Sequence, residues 1–316
     1  MEFNLFRFFA LLSVAFVASH AARTFEDYWR SVLPDTPMPK SISGLLQSPV
    51  YVSPASTDQH TGKGDIVVKS ENKGKPVYVG VNPVLSPFDY LYAASVNQLH
   101  SNPNVALFFL EEDLLQGADM NLHFTKSTTP THFLPQNIAD SIPFSSIKLP
   151  EILSKFSIKQ NTLESETIKN TISECEAPGI KGEEKYCATS LEKMIEFTTS
   201  RLGKKVKALS TDVEKESEMQ KYRILGSEKL GEKVVVCHKQ NYAYAVFYCH
   251  KTNNVKAYTV FLVGNDGTKA KAAAICHTDT SSWNPKHLAF QALNVKPGTA
   301  PVCHFLPEDH LVWVPY

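Results

Sequence analysis

Apolar residues recur along this chain with two periods, and the change from one to the other divides it. Phe25 to Leu46 reads as a short helical segment interrupted by prolines at 34, 37 and 39. Residues 47 to 105 hold much Pro, Ser, Gly, Asn and Lys and few long apolar runs, the composition of an extended or disordered leader. From residue 106 strand-like and helix-like stretches alternate. Phe108 to Phe124 predicts two strands around a turn at Gln116-Gly117. Leu149 to Phe156 predicts a helix with Pro150 in its first turn, and Glu164 to Cys175 a polar helix that stops near Pro178-Gly179. After Cys187 comes the clearest helix: Thr189 and Glu192 are spaced as a capping box, Leu191, Met194, Ile195, Thr198 and Leu202 share a face, and Gly203 is the stop. Beyond Lys204 period two takes over, in Val206 to Ser210, Val234 to His238, Tyr242 to His250, Val255 to Val263, Lys269 to His277 and Ala300 to Val314, with Gly264-Asn265-Asp266-Gly267 as a hairpin turn. The expected fold is α+β, with a mostly antiparallel β carboxy-terminal half and several helices.

The first 21 residues carry Arg7, an apolar run from Phe8 to Ala18 and small residues at Ser19 and Ala21, which predicts a cleaved secretory signal; the run is too short to span a membrane. The expected organisation is therefore a signal at 1–21, a variable leader at 22–105 and a folded domain at 106–316. Acidic and basic residues balance at 32 each, which gives no electrostatic reason to expect nucleic acid or a membrane as partner. Export would place the six cysteines in an oxidising compartment, where an even number reads as disulfides.

Four of those six are followed at once by histidine: Cys237-His238, Cys249-His250, Cys276-His277 and Cys303-His304, with gaps of 10, 25 and 25 residues. Each pair sits at or near the end of an apolar strand, so sulfur and imidazole should point to opposite faces. That geometry, and the lack of Cys-x2-4-Cys spacing, argues against a zinc finger. Cys175 and Cys187 bracket turns and are expected to pair with each other, which leaves three connectivities open for the other four. Four imidazoles in repeating context point to a metal held by His238, His250, His277 and His304, and copper ranks first in intrinsic affinity for such donors. His123, Asp309 and His310 are the secondary ligand candidates. Tyr242, Tyr244 and Tyr248 read as packing residues, with a phenol beside copper as their chemical alternative.

The same spacing resembles that of the plant BURP-domain family. Further matches are Phe108-Phe109 with Glu112-Asp113-Leu114 and Gly117, Phe133-Leu134-Pro135 with Ala139-Asp140-Ser141-Ile142-Pro143-Phe144, and the ending Trp313-Val314-Pro315. Gly74-Lys75-Pro76-Val77-Tyr78-Val79-Gly80-Val81 is similar to a segment of the dehydration-responsive, abscisic-acid-induced subgroup. The resemblance implies an exported protein of the apoplast or cell wall, acting in stress responses on a wall polymer or an apoplastic protein. It also implies an alternative enzymatic role, a copper-dependent peptide cyclase that crosslinks an aromatic residue of its own leader. Tyr51 and Tyr78, each in a Pro-Val-Tyr-Val copy, and Trp29 are the candidate crosslinked residues. Hydrolase, zinc-protease, phosphate-loop and dinucleotide signatures are all missing.

Overall fold

The computed structural model describes residues 24–46, 108–124, 131–179, 182–285 and 287–316. The signal, Tyr51 and Tyr78 lie outside them, as does the whole stretch expected to be extended, 47–105.

Two short helices begin the described chain, α1 (Phe25–Val32) and α2 (Lys40–Ser43), with Pro34 and Pro37 between them and Pro39 at the start of α2. Thr24 caps α1 by accepting the Asp27 N–H at 3.1 Å. Strands β1 (Phe109–Leu110) and β2 (Asp119–Leu122) follow, then helices α3 (Gln136–Asp140), α4 (Leu149–Lys155) and α5 (Leu163–Glu176). Next come β3 (Glu183–Ala188) and α6 (Leu191–Leu202). The carboxy-terminal part is β4 (Val206–Leu209), β5 (Asp212–Val213), β6 (Gln220–Gly231), β7 (Val235–Lys239), β8 (Phe247–Thr252), β9 (Val255–Gly264), β10 (Lys269–His277), α7 (Leu288–Leu293), β11 (Val302–Phe305) and β12 (Leu311–Pro315).

The strands form two antiparallel sheets. One runs β1-β11-β10-β9-β6-β2, with β5 also paired to β10; the other runs β3-β8-β7-β12-β4. Val236, Val312 and Val314 of the smaller sheet pack against Val255, Ala257, Ala273 and Ile275 of the larger, so the sheets share an apolar interior. The outer face of the smaller sheet is covered by α6, α1 and α2 through Met194, Ile195, Trp29, Leu33 and Ile42. On the outer face of the larger sheet Phe109, Leu122, Phe124, Tyr222, Leu262 and Phe305 form a second core. The α+β reading with an antiparallel carboxy-terminal half holds.

Local differences from the sequence reading have identifiable causes. The α6 cap is Ser190, which accepts the Lys193 N–H at 3.3 Å, and not Thr189; both residues are capping types, and only the backbone decides between them. Tyr242 and Tyr244 lie in the loop before β8 and turn toward Phe144 and Phe156 of the small helical cluster. Ala300 to Val314 is two strands, because β11 joins the larger sheet and β12 the smaller. The charged runs Glu183-Glu184-Lys185 of β3 and Glu228-Lys229 of β6 hide the strand period in the sequence.

Candidate metal centre

Alternation along a strand gives each Cys-His pair two opposite tasks. Cys237 and Cys249 are direct cross-strand partners on β7 and β8, and Cys276 and Cys303 on β10 and β11. Each couple forms a disulfide, with Cα atoms 3.9 Å apart in both. The first lies in the core under α6 and α1, the second in the outer core of the larger sheet. Cys175 and Cys187 pair as expected and tie α5 to β3. All six cysteines are therefore bonded, in three disulfides.

In an antiparallel pair the residues that follow two facing cysteines are displaced in opposite directions along the strands. His238 stands opposite Tyr248, and His250 opposite Val236, so the two imidazoles are diagonal neighbours on the face away from the disulfide. His277 opposite Val302 and His304 opposite Ile275 repeat the arrangement on the other sheet. Ring centroids are 5.2 Å apart in the first pair and 5.7 Å in the second, and His238 lies 6.4 Å from His304, so both sheets contribute to one cluster.

All four histidines are buried. Burial, which disfavours the charged ring, holds His238 and His277 well below the usual imidazole range and pushes His304 down to about 3. A neutral ring is the form that ligates metal. The Nε2 atoms of His238 and His250 are 3.2 Å apart, which suits two nitrogens each about 2.0–2.1 Å from a shared ion. Imidazole nitrogens are suitable donors for copper, and this spacing lets two of them reach one ion. Among the described residues no three His, Cys, Asp or Glu side chains close on one point at metal-holding spacing.

Around the cluster stand further polar and aromatic groups. His310, buried just before β12, has Nδ1 2.9 Å from Nδ1 of His238, and burial lowers it to about 4. Asp309 lies 3.5 Å from Lys239 Nζ, with both side chains largely buried. Glu183 on β3 places Oε1 3.0 Å from His250 Nδ1, and the Tyr248 hydroxyl donates to the same oxygen at 3.3 Å. Burial pushes the Tyr248 phenol up, so it stays protonated. Trp283 packs between His277 and His287 at 4.9 and 4.8 Å. His123 follows β2 in a different neighbourhood, where the charges it feels are Glu216 and Glu218. Trp29, the described candidate for crosslinking, is 2% exposed, donates its indole N–H to the Thr36 carbonyl at 2.8 Å and lies 5.6 Å from Trp313. A crosslink there would require α1 to leave the core.

Sequence reasoning did not find Glu183, Trp283 or His287. Glu183 sits in a Glu-Glu-Lys run that reads as solvated surface, and only the β3–β8 register turns it toward His250.

Residues 107–315 match the BURP domain. The chain belongs to the BURP-domain family. Among similar members, BURP domain protein RD22 of Arabidopsis thaliana is 53% identical over 80% of this chain and 67% of its own length. BURP domain-containing protein 3 of Oryza sativa subsp. japonica is also 53% identical, over 76% of this chain and 57% of that protein, so the match leaves over a third of that relative uncovered. BURP domain-containing protein 5 of the same rice is 44% identical over 93% of this chain and 88% of its own. The match begins at residue 107, yet the folded unit also takes in residues 24–46.

Proposed function

We propose that this chain is an exported BURP protein of the RD22 type that acts in the apoplast or cell wall during abiotic stress and holds copper through His238, His250, His277 and His304. The observation that carries the metal reading is the repeated diagonal His pair, which gathers buried imidazoles from both sheets between two disulfide-locked strand couples. Export is supported by the bonding of every cysteine, which needs an oxidising compartment, and by the apolar amino terminus. The stress role rests on the 53% identity to RD22 and on the resemblance of residues 74–81 to the dehydration-responsive group. A wall polymer or an apoplastic protein is the partner class this role implies. Bound copper would supply one-electron redox chemistry; the protein's part is to hold the donors in place and away from bulk water.

The test is copper content after loading and dialysis, in wild type and in single His→Ala variants at the four positions. Wild type should retain copper and each variant less, with secretion largely intact. Equal copper in all five proteins would refute the ligand assignment.

A second reading, self-modification of the leader, is favoured by one contact. Phe108, where the described chain resumes after residues 47–107, packs 5.6 Å from His287, which neighbours Trp283 beside His277. Peptide mapping across residues 22–105 after incubation with copper and air separates the readings. Loss of two hydrogen masses at Tyr51, Tyr78 or Trp29 would make the chain a cyclase; an unchanged leader would leave a metal-holding wall protein.

A further inference from the structure

We propose that the outer face of the smaller sheet is a peptide-docking surface, and that residues 24–46 occupy it as an exchangeable ligand, held by contacts and not by their covalent link to the domain. The segment carries its own local structure. Thr24 caps α1, the Leu33 N–H donates to the Trp29 carbonyl at 2.8 Å, and the Trp29 indole N–H donates to the Thr36 carbonyl at 2.8 Å. Neither α1 nor α2 extends a sheet, so what the segment gives the domain is chiefly side chains.

Those side chains are arranged as at an interface between separate molecules. Trp29, Leu33 and Ile42 are buried in the core that also holds Met194, Val235 and Trp313. Around them Glu26, Asp27, Arg30 and Lys40 are exposed. An apolar centre anchored by a buried Trp and ringed by charged residues is the anatomy of a binding site. Three directed hydrogen bonds set the position of the segment along the face: Thr36 hydroxyl to Val206 carbonyl, Tyr316 hydroxyl to Asp35 carbonyl and Phe133 N–H to Leu45 carbonyl.

The cover leaves one polar group unsatisfied. Trp313, whose ring lies 5.6 Å from that of Trp29, is fully buried, and its indole N–H meets no acceptor among the described residues. A buried donor without an acceptor costs free energy that water would return. Lifting the segment gives up apolar contact but lets that N–H reach water, which lowers the cost of local opening and so favours exchange. The surface lies on the face away from the histidines and needs no metal. A cut between residues 47 and 105 would then free the leader and still leave residues 24–46 in place as the brace of β7 and β8.

The test takes the chain from residue 22 to 316 with a site-specific protease sequence placed between 47 and 105. After cleavage the two pieces should elute together in size-exclusion chromatography at micromolar concentration. A fluorescently labelled copy of residues 22–46, added in excess, should then replace the original piece. Trp29→Ala in the labelled peptide should abolish incorporation, whereas Lys40→Ala, at the exposed rim, should weaken it less than about fivefold. Because both changes are made in the peptide, folding of the domain is not at risk. Pieces that separate on cutting would overturn the proposal. So would pieces that stay together but never exchange, which would make the segment an integral part of the core, and so would equal incorporation of the Trp29→Ala peptide.

Discussion

An imidazole changes charge near pH 6.5 in water, and the buried rings of this protein have lost that freedom. Desolvation lowers His304 to about 3 and His287 and His310 to about 4, and holds His238 and His277 well below the ordinary range. Because the folded state keeps these rings neutral while the unfolded chain protonates them below about pH 6.5, the unfolded state binds more protons across that interval. Stability should therefore be fully present above pH 6.5 and be lost as pH falls toward 4, by roughly 1 kcal/mol per pH unit for each such ring. Urea unfolding of chelator-treated protein at pH 7.5, 6 and 5 checks this. A midpoint that does not move between pH 7.5 and 5 would contradict burial of neutral histidines. Added copper should raise the midpoint more at pH 7.5 than at pH 5, since protons and metal compete for the same nitrogens.

At the level of elements, the Cys-His dipeptide is a two-strand device: one residue locks two strands from outside and the next delivers a donor inside. Replacing Cys237 and Cys249 together by Ser removes a loop closed over 12 residues, and replacing Cys276 and Cys303 one closed over 27. Each double variant should lose about 2–4 kcal/mol by denaturant unfolding, the second somewhat more because its loop is longer. A double variant as stable as wild type would show that strand pairing alone holds the register. The dipeptide made much of this legible, since period two tells which face each residue takes. The α6 face, with Leu191, Met194 and Ile195, was equally plain from its spacing. What stayed hidden was set by pairing between distant segments. Strand β6 reads as polar because Lys221, Arg223, Glu228 and Lys229 are all exposed, and register shifts after Ile224 and Lys229 break its period. Tyr242 and Tyr244 read as strand by alternation, but a helical cluster offered their rings a better place than the sheet. Nothing local says that β7 and β8 will face β10 and β11 across one interior.

The whole molecule is larger than the stretch matched to its family. Residues 24–46 bury Trp29, Leu33 and Ile42 on the smaller sheet, on the face opposite the histidines. Polar ties reinforce this contact: Thr36 donates to the Val206 carbonyl at 2.5 Å, the Phe133 N–H to the Leu45 carbonyl at 3.0 Å and the Tyr316 hydroxyl to the Asp35 carbonyl at 2.8 Å. The exposed Lys40–Asp212 pair at 3.1 Å adds little by comparison. The same core holds Cys237, Cys249 and Phe247, so the segment braces the strands that present His238 and His250. Trp29→Ala should then cost about 3–5 kcal/mol, a large part of the 5–15 kcal/mol typical of a domain. Residues 107–316 expressed alone should unfold at a lower temperature than residues 22–316 and expose Trp313 to quenchers, because its partner ring is gone. The comparison also reaches function: if bracing matters, Trp29→Ala should weaken copper retention without touching any proposed ligand. A fragment 107–316 with the melting temperature of the longer chain and a shielded Trp313 would instead confine the working unit to the family match.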